Sequence, residues 1–314
     1  MFDGSNINRL IKQLEDRGAC LYHACQFVDF QSYLAVGGIP SRALLEQNKQ
    51  VFTAFETDTH DHETGVWDKV FVNLSDFGRT FASGGDGVPN PYGPILLQMH
   101  PAALAEAREV AVCLRSAGAN GFNRGKEALT SLDDVNRLFR YPTQAGFPES
   151  SEVKYVAELR IHFPGARDPE ISCTVDAGKL SLQHLIVVWV DPYTIHGKPL
   201  LDFVAQQVMD VGMWFNLRGR NCRDGAIKAL YNELASELIN STATLSDLGQ
   251  RARVSSDLRF WAGRVARKKL EYQFERYARY LLTGTLRPLL GVSLVNPQSR
   301  RASAPIPLNE ELPF

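Results

Sequence analysis

The sequence predicts an α+β domain over residues 1–197, a helical basic extension over residues 198–296 and a mobile tail over residues 297–314. Three observations carry that division. Short apolar or alternating runs bounded by Gly, Pro and Asn fill the first part, whereas apolar residues recur at helical spacing from Pro199 onward. The formal charge of −1 is a cancellation: residues 1–199 hold 18 basic and 24 acidic side chains, residues 200–314 hold 16 and 11. Pro297 to Phe314 is rich in Pro and Ser, the composition of a mobile end. With 44% apolar and 22% charged residues, disordered, collagen-like and coiled-coil classes are excluded.

The elements follow in order. Ile7, Leu10, Ile11 and Leu14 form a helical stripe behind Ser5, a candidate N-cap, and Gly18 closes that helix. Cys20 to Ala24 reads as a short strand, and Asp29 to Val36 as a helix stopped by Gly37-Gly38. Residues 43–66 are polar and acidic and read as loop or irregular helix. Lys69 to Leu74, Pro94 to Met99 and Val110 to Leu114 read as strands, with a punctuated loop at Gly84 to Gly93. Residues 117–151 are mostly loop, with one helical piece from Ser131 to Phe139. Val153, Tyr155, Ala157, Leu159 and Ile161 alternate with polar residues, so Glu152 to Ile161 is expected to be a half-buried strand. His184 to Val190 is a buried strand.

Met1 to Gly18 has no apolar signal-like region, and the longest apolar run, Leu185 to Val190, is far short of a membrane span. Five cysteines without a CxxC pair argue against disulfides and zinc ribbons. A reduced, cytoplasmic protein is expected. Phosphate-loop, dinucleotide, nucleophile-elbow and HExxH motifs are absent. His60 and His62, in Asp58-Thr-His-Asp-His-Glu63, read as part of a solvated acidic loop rather than a metal site.

Chemistry concentrates where Tyr22-His23 ends the first strand. The stretch Leu21-Tyr-His-Ala-Cys-Gln-Phe-Val-Asp-Phe-Gln-Ser-Tyr-Leu-Ala-Val-Gly-Gly-Ile39 resembles the opening of the DarT toxins, DNA ADP-ribosyltransferases with a Tyr-His followed by a short helix and Gly. Trp67-Asp-Lys-Val-Phe-Val-Asn-Leu74 is similar to that family's second strand, and Pro94-Ile95 to the Pro-Ile opening of its next one. Ser150-Ser-Glu-Val-Lys-Tyr-Val156 is similar to the strand start that holds its catalytic glutamate, and His184 to Val190 to its final strand. The resemblance spans roughly residues 20–192. It implies an ADP-ribosyltransferase-like split β-sheet, NAD as co-substrate, a nucleobase in single-stranded DNA as acceptor, and a toxin paired with an antitoxin that removes the mark.

The resemblance also implies site roles. Glu152 would stabilise the cationic, oxocarbenium-like transition state, since preorganised charge is usually the largest catalytic contribution, and could accept the acceptor's proton. Glu158, six residues on, is its rival. His23 would hold the NAD ribose, and Tyr22 or Phe77 would stack on nicotinamide. Arg42 would meet the pyrophosphate and assist catalysis, with Arg79 as second candidate, because a guanidinium fork matches phosphate oxygens. An enzyme acting on a base must reach it outside the stack, so single-stranded DNA is the economical substrate. Asn120, Phe122, Asn123, Arg124 and Lys126 of the long loop are candidate DNA contacts. Between Arg251 and Arg287 ten basic residues face three acidic ones, with six aromatics interleaved, and Arg264, Arg267 and Lys268 are candidate phosphate contacts. A non-catalytic nucleic-acid-binding protein and a transferase acting on RNA or protein remain alternatives.

Overall fold

The computed structural model describes residues 1–76, 90, 92–119, 121–140, 153–154, 156–166, 169–220, 231–232, 234–236, 238 and 277–290. Its centre is one mixed sheet of eight strands. They are β1 (Phe2–Asp3), β2 (Leu21–Cys25), β4 (Val70–Asn73), β5 (Ile95–Met99), β6 (Ala107–Cys113), β7 (Glu170–Val175), β9 (Leu185–Val190) and β12 (Leu217–Gly219). The spatial order is β1-β6-β7-β4-β2-β5-β9-β12. Every neighbouring pair is antiparallel except β9 and β12. Two small two-stranded sheets accompany it: β3 (Gly38–Pro40) with β8 (Lys179–Ser181), and β10 (Thr194–Ile195) with β11 (Lys198–Pro199). The architecture is thus mixed α+β around a large sheet.

The predicted stripe of helix α1 (Ser5–Asp16) is buried as expected, at Ile7, Leu10, Ile11 and Leu14. Ser5 is its first helical residue rather than its cap, which is Gly4 with φ 46°. Helix α2 (Phe27–Val36) starts two residues before the expected Asp29, because Asp29 sits at the third helical position and its carboxylate accepts the Gln26 N–H at 3.2 Å. It ends at Gly37 with φ 72°, a left-handed closure suited to glycine. The 43–66 stretch contains two short helices, α3 (Arg42–Gln47), capped by the Ser41 hydroxyl, and α4 (Asp58–Glu63).

Two readings need correction. Residues Val156–His162 are helical, not the second half of a strand. Ala, Glu, Leu and Arg favour a helix there, and the alternation that suggested a strand leaves Ile161 78% exposed while Leu159 is buried. The chain beyond Pro199 is not helical throughout: after the helix Leu200–Asp210 it returns to the sheet as β12. There Arg220 bridges Asp76 at 2.8 Å and Asp191 at 3.0 Å.

One hydrophobic core joins residues on both sides of position 197, including Leu21, Phe30, Val188, Tyr193, Tyr231, Tyr277 and Leu281. The hydroxyls of Tyr193 and Tyr277 are hydrogen-bonded within it. The expected boundary after residue 197 therefore does not separate two cores among the described residues. No described helix is long and apolar enough to cross a membrane.

Candidate functional site

Strands β2 and β4 share one registered pair, Tyr22 with Asn73. Tyr22, His23, Phe71 and Asn73 of these two strands line a cavity of about 160 Å³. His23 is held from both sides of its ring. Its Nδ1 lies 2.8 Å from the Phe71 carbonyl oxygen and its Nε2 3.0 Å from the Tyr33 hydroxyl of α2. A carbonyl only accepts, so Nδ1 carries the proton, and Nε2 of the neutral ring accepts from Tyr33. Burial pushes the His23 pKa down to about 4, which keeps the ring neutral near pH 7.

Arg42 enters the same cavity from the start of α3. Its guanidinium sits over the rings of Phe52 and Phe55, 4.7 and 5.1 Å from their centroids. Its Nη1 is 3.6 Å from Asp29 Oδ1 and is buried without a hydrogen-bond partner. Asp29 itself accepts the backbone N–H groups of Gln26 and Thr53, at 3.2 and 2.8 Å. Burial opposes the charge on Arg42, but the carboxylates of Asp29 and Asp58 outweigh it and raise its pKa. The cation is thus firmly held, with a donor to spare.

Among the carboxyls that line this cavity is Glu170, the first residue of β7. Its Oε1 accepts the Ala117 N–H at 2.9 Å. Burial raises its pKa to about 7, against the lowering effect of that hydrogen bond. Across the sheet, Glu170 pairs with Asn73, Asn73 with Tyr22, and Tyr22 with Gln98, so these four residues form one cross-strand row. Asp58 and Asp61 of α4 close the cavity, and burial raises both carboxyls, Asp61 to about 6. The segment expected as a solvated acidic loop is therefore a helix forming a cavity wall. Its His62 stacks on Trp67, 3.8 Å between ring centroids.

The structure thus brings Tyr22, His23 and Arg42 together. Glu158 does not join them: it lies in the helix Val156–His162, 3.3 Å from Arg140. Glu152, Phe77, Arg79, Asn120, Arg264, Arg267 and Lys268 lie outside the described residues. Phe122, Asn123, Arg124 and Lys126 are described and do not line the cavity. Asn123 uses its side-chain oxygen to accept the Lys126 N–H, and Arg124 lies 3.9 Å from Glu109. Sequence reasoning missed Glu170, Asp29 and Tyr33. A signal for the first existed, since Ile171, Cys173 and Val175 alternate with Ser172 and Thr174 directly after it. No family model matches this chain, and no curated protein matches it.

Proposed function

We propose that the chain is an NAD-dependent ADP-ribosyltransferase that modifies a nucleobase in single-stranded DNA, acting as a toxin whose mark an antitoxin removes. The observation that carries this reading is the convergence of Tyr22, His23, Arg42 and Glu170 on one cavity. The cavity suits the dinucleotide at both ends. The Nη1 of Arg42, ion-paired with Asp29 but without a hydrogen-bond partner, is a donor for a pyrophosphate oxygen, and the acidic wall of Glu170 and Asp61 suits a cationic nicotinamide ribose.

NAD supplies a glycosidic bond whose electron pair departs with nicotinamide as a ring nitrogen or other base atom bonds to the ribose carbon. The chain's residues do the rest. The ionised Glu170 carboxylate opposes the positive charge that develops on the ribose and accepts the proton that the attacking base gives up. His23, locked by Phe71 and Tyr33, presents a fixed neutral ring to the same cavity. Tyr22, next to Asn73 in the cross-strand row, offers the stacking face for nicotinamide. Glu170 takes the role that the resemblance implies for Glu152, because it stands at a strand start and lines the cavity.

The test is incubation of the full chain with NAD and single-stranded oligonucleotides, followed by intact-mass measurement. One added ADP-ribose per strand is expected, and Glu170→Gln should abolish it. Transfer to RNA or protein instead would redirect the acceptor, and tight binding with no transfer at all would leave a nucleic-acid-binding protein. Loss in Glu152→Gln with activity retained in Glu170→Gln would return the catalytic role to Glu152.

A further inference from the structure

Beside the cavity, on the face of the sheet that also carries Tyr22 and Gln98, a second cross-strand row runs away from the proposed chemistry. Ala24 pairs with Leu96, Leu96 with Trp189, and Trp189 with Arg218 of β12. Ala24 and Leu96 line the cavity, so this row runs from its wall to the edge of the sheet. Helices α2 and Leu200–Asp210 lie on the other face: Tyr33 of α2 bonds His23, and Leu201 lies against Gly219. The Trp189 indole N–H donates to Gln98 Oε1 at 2.8 Å, which fixes its ring on the Tyr22–Gln98 side. The Arg218 guanidinium lies 6.0 Å from the centre of that ring, and its Nε donates to Asn216 at 3.3 Å. Arg218 is exposed and Trp214 is 88% exposed, and both share the outward side of this segment with Asn216, because the alternating Met213, Phe215 and Leu217 pack against the core.

An anchored indole, an exposed indole and an exposed guanidinium in one band are the groups that hold single-stranded nucleic acid, by stacking on bases and by meeting phosphates. We propose that this band, Trp189, Trp214 and Arg218, is a docking track for single-stranded nucleic acid that leads into the cavity. The inference deepens the proposed transferase reading by locating the path of the acceptor strand, and it rests on that reading for the strand's purpose. A lipid surface is the less fitting partner, because the row runs on to the wall of a cavity that Asp29, Arg42, Asp58 and Glu170 also line, rather than ending in an apolar patch.

The experiment measures binding of a labelled single-stranded oligonucleotide to the full chain by fluorescence anisotropy, over a range of salt, beside NAD-dependent transfer to the same strand. Trp214→Ala should weaken binding about tenfold and Trp214→Phe should restore most of it. Arg218→Ala should weaken binding and reduce the salt slope by about one. Both variants should keep the melting temperature and NAD affinity of the parent. Oligonucleotide binding unchanged in both variants overturns the track, as does a Trp214→Ala chain that loses only binding to anionic vesicles. If the parent transfers ADP-ribose while both variants bind normally, the track falls and the transferase reading stands. If the variants lose binding while no preparation transfers, the track stands and the transferase reading falls.

Discussion

Glu170 faces two conflicting demands. Its neighbours hold it in a confined place that favours the neutral acid, with a pKa of about 7, whereas the proposed chemistry needs the carboxylate. In the unfolded chain it would titrate near 4.5. Between those two values the folded protein holds a proton that the unfolded chain has released, so this group's contribution to stability declines as pH rises from about 4.5 to about 7 and stays low above that. Glu170→Gln removes the conflict. Its melting temperature should match the parent's near pH 4.5 and exceed it by about 2–4 °C at pH 8, while transfer is lost at every pH. In the parent, kcat/KM should rise through pH 7 as the carboxylate forms. A melting difference independent of pH would show that the carboxyl is unperturbed. His23 has the opposite sign: its pKa, lowered to about 4, gives a contribution complete above pH 6.5 and lost as pH falls toward 4.

One support of the site comes from far along the chain. The π-helical turn Leu282–Leu286 packs against the start of α2. The Thr285 hydroxyl accepts the Phe27 N–H at 3.0 Å and donates to Gln26 Oε1 at 2.7 Å. Gln26 in turn donates to the Tyr92 carbonyl at the cavity wall. Gly284 has no room for a side chain: a Cβ there would meet Gln26 Cβ and Thr53 Oγ1 at 2.6 Å. One turn along α2 from this contact stands Asp29, the partner of Arg42. Thr285→Val keeps the shape and removes both hydrogen bonds, leaving buried polar groups unmatched, so it should destabilise the fold by about 1–3 kcal/mol. It should also raise the KM for NAD more than it lowers kcat, and Thr285→Ser should restore both. Denaturant titration and steady-state kinetics check this.

Elements of this kind mark where the sequence stops being legible. α1, α2, β2, β4, β5 and β9 were readable because their apolar periodicity and glycine stops are local signals. β7 carries a plain alternation but lies behind a long connection, in competition with the stronger-looking alternation of residues 153–161. β12 is three residues long and exists because β9 offers it an edge. The site divides in the same way. Tyr22, His23 and Arg42 were readable from one continuous stretch, whereas Glu170 joins them only through the pairing of β7 with β4.

For the whole molecule, the change in charge after residue 199 does not coincide with a division of the core among the described residues. A deletion of residues 251–314, which on charge alone would separate nucleic-acid binding from cofactor binding, also removes Tyr277, Leu281 and Leu286 from the core. It further removes the Tyr280 hydroxyl that accepts the Glu56 N–H at 3.1 Å, and the Tyr280 ring that packs on Phe55, 4.7 Å between centroids. Phe55 carries the Arg42 guanidinium on its face, so the loss reaches the cavity in two steps. Large buried side chains each contribute several kcal/mol against an overall stability of roughly 5–15 kcal/mol, so losing three of them together exceeds what the fold can spare. A chain ending at Leu290 should therefore melt within about 2 °C of the full chain and bind NAD with the same affinity, whereas a chain ending at residue 276 should neither melt cooperatively nor bind. Calorimetric melting and NAD titration of the two truncations measure this. A cooperative, NAD-binding chain ending at 276 would mean that the sheet closes its core without the C-terminal segment, and the tail would then be the separable module its charge suggests.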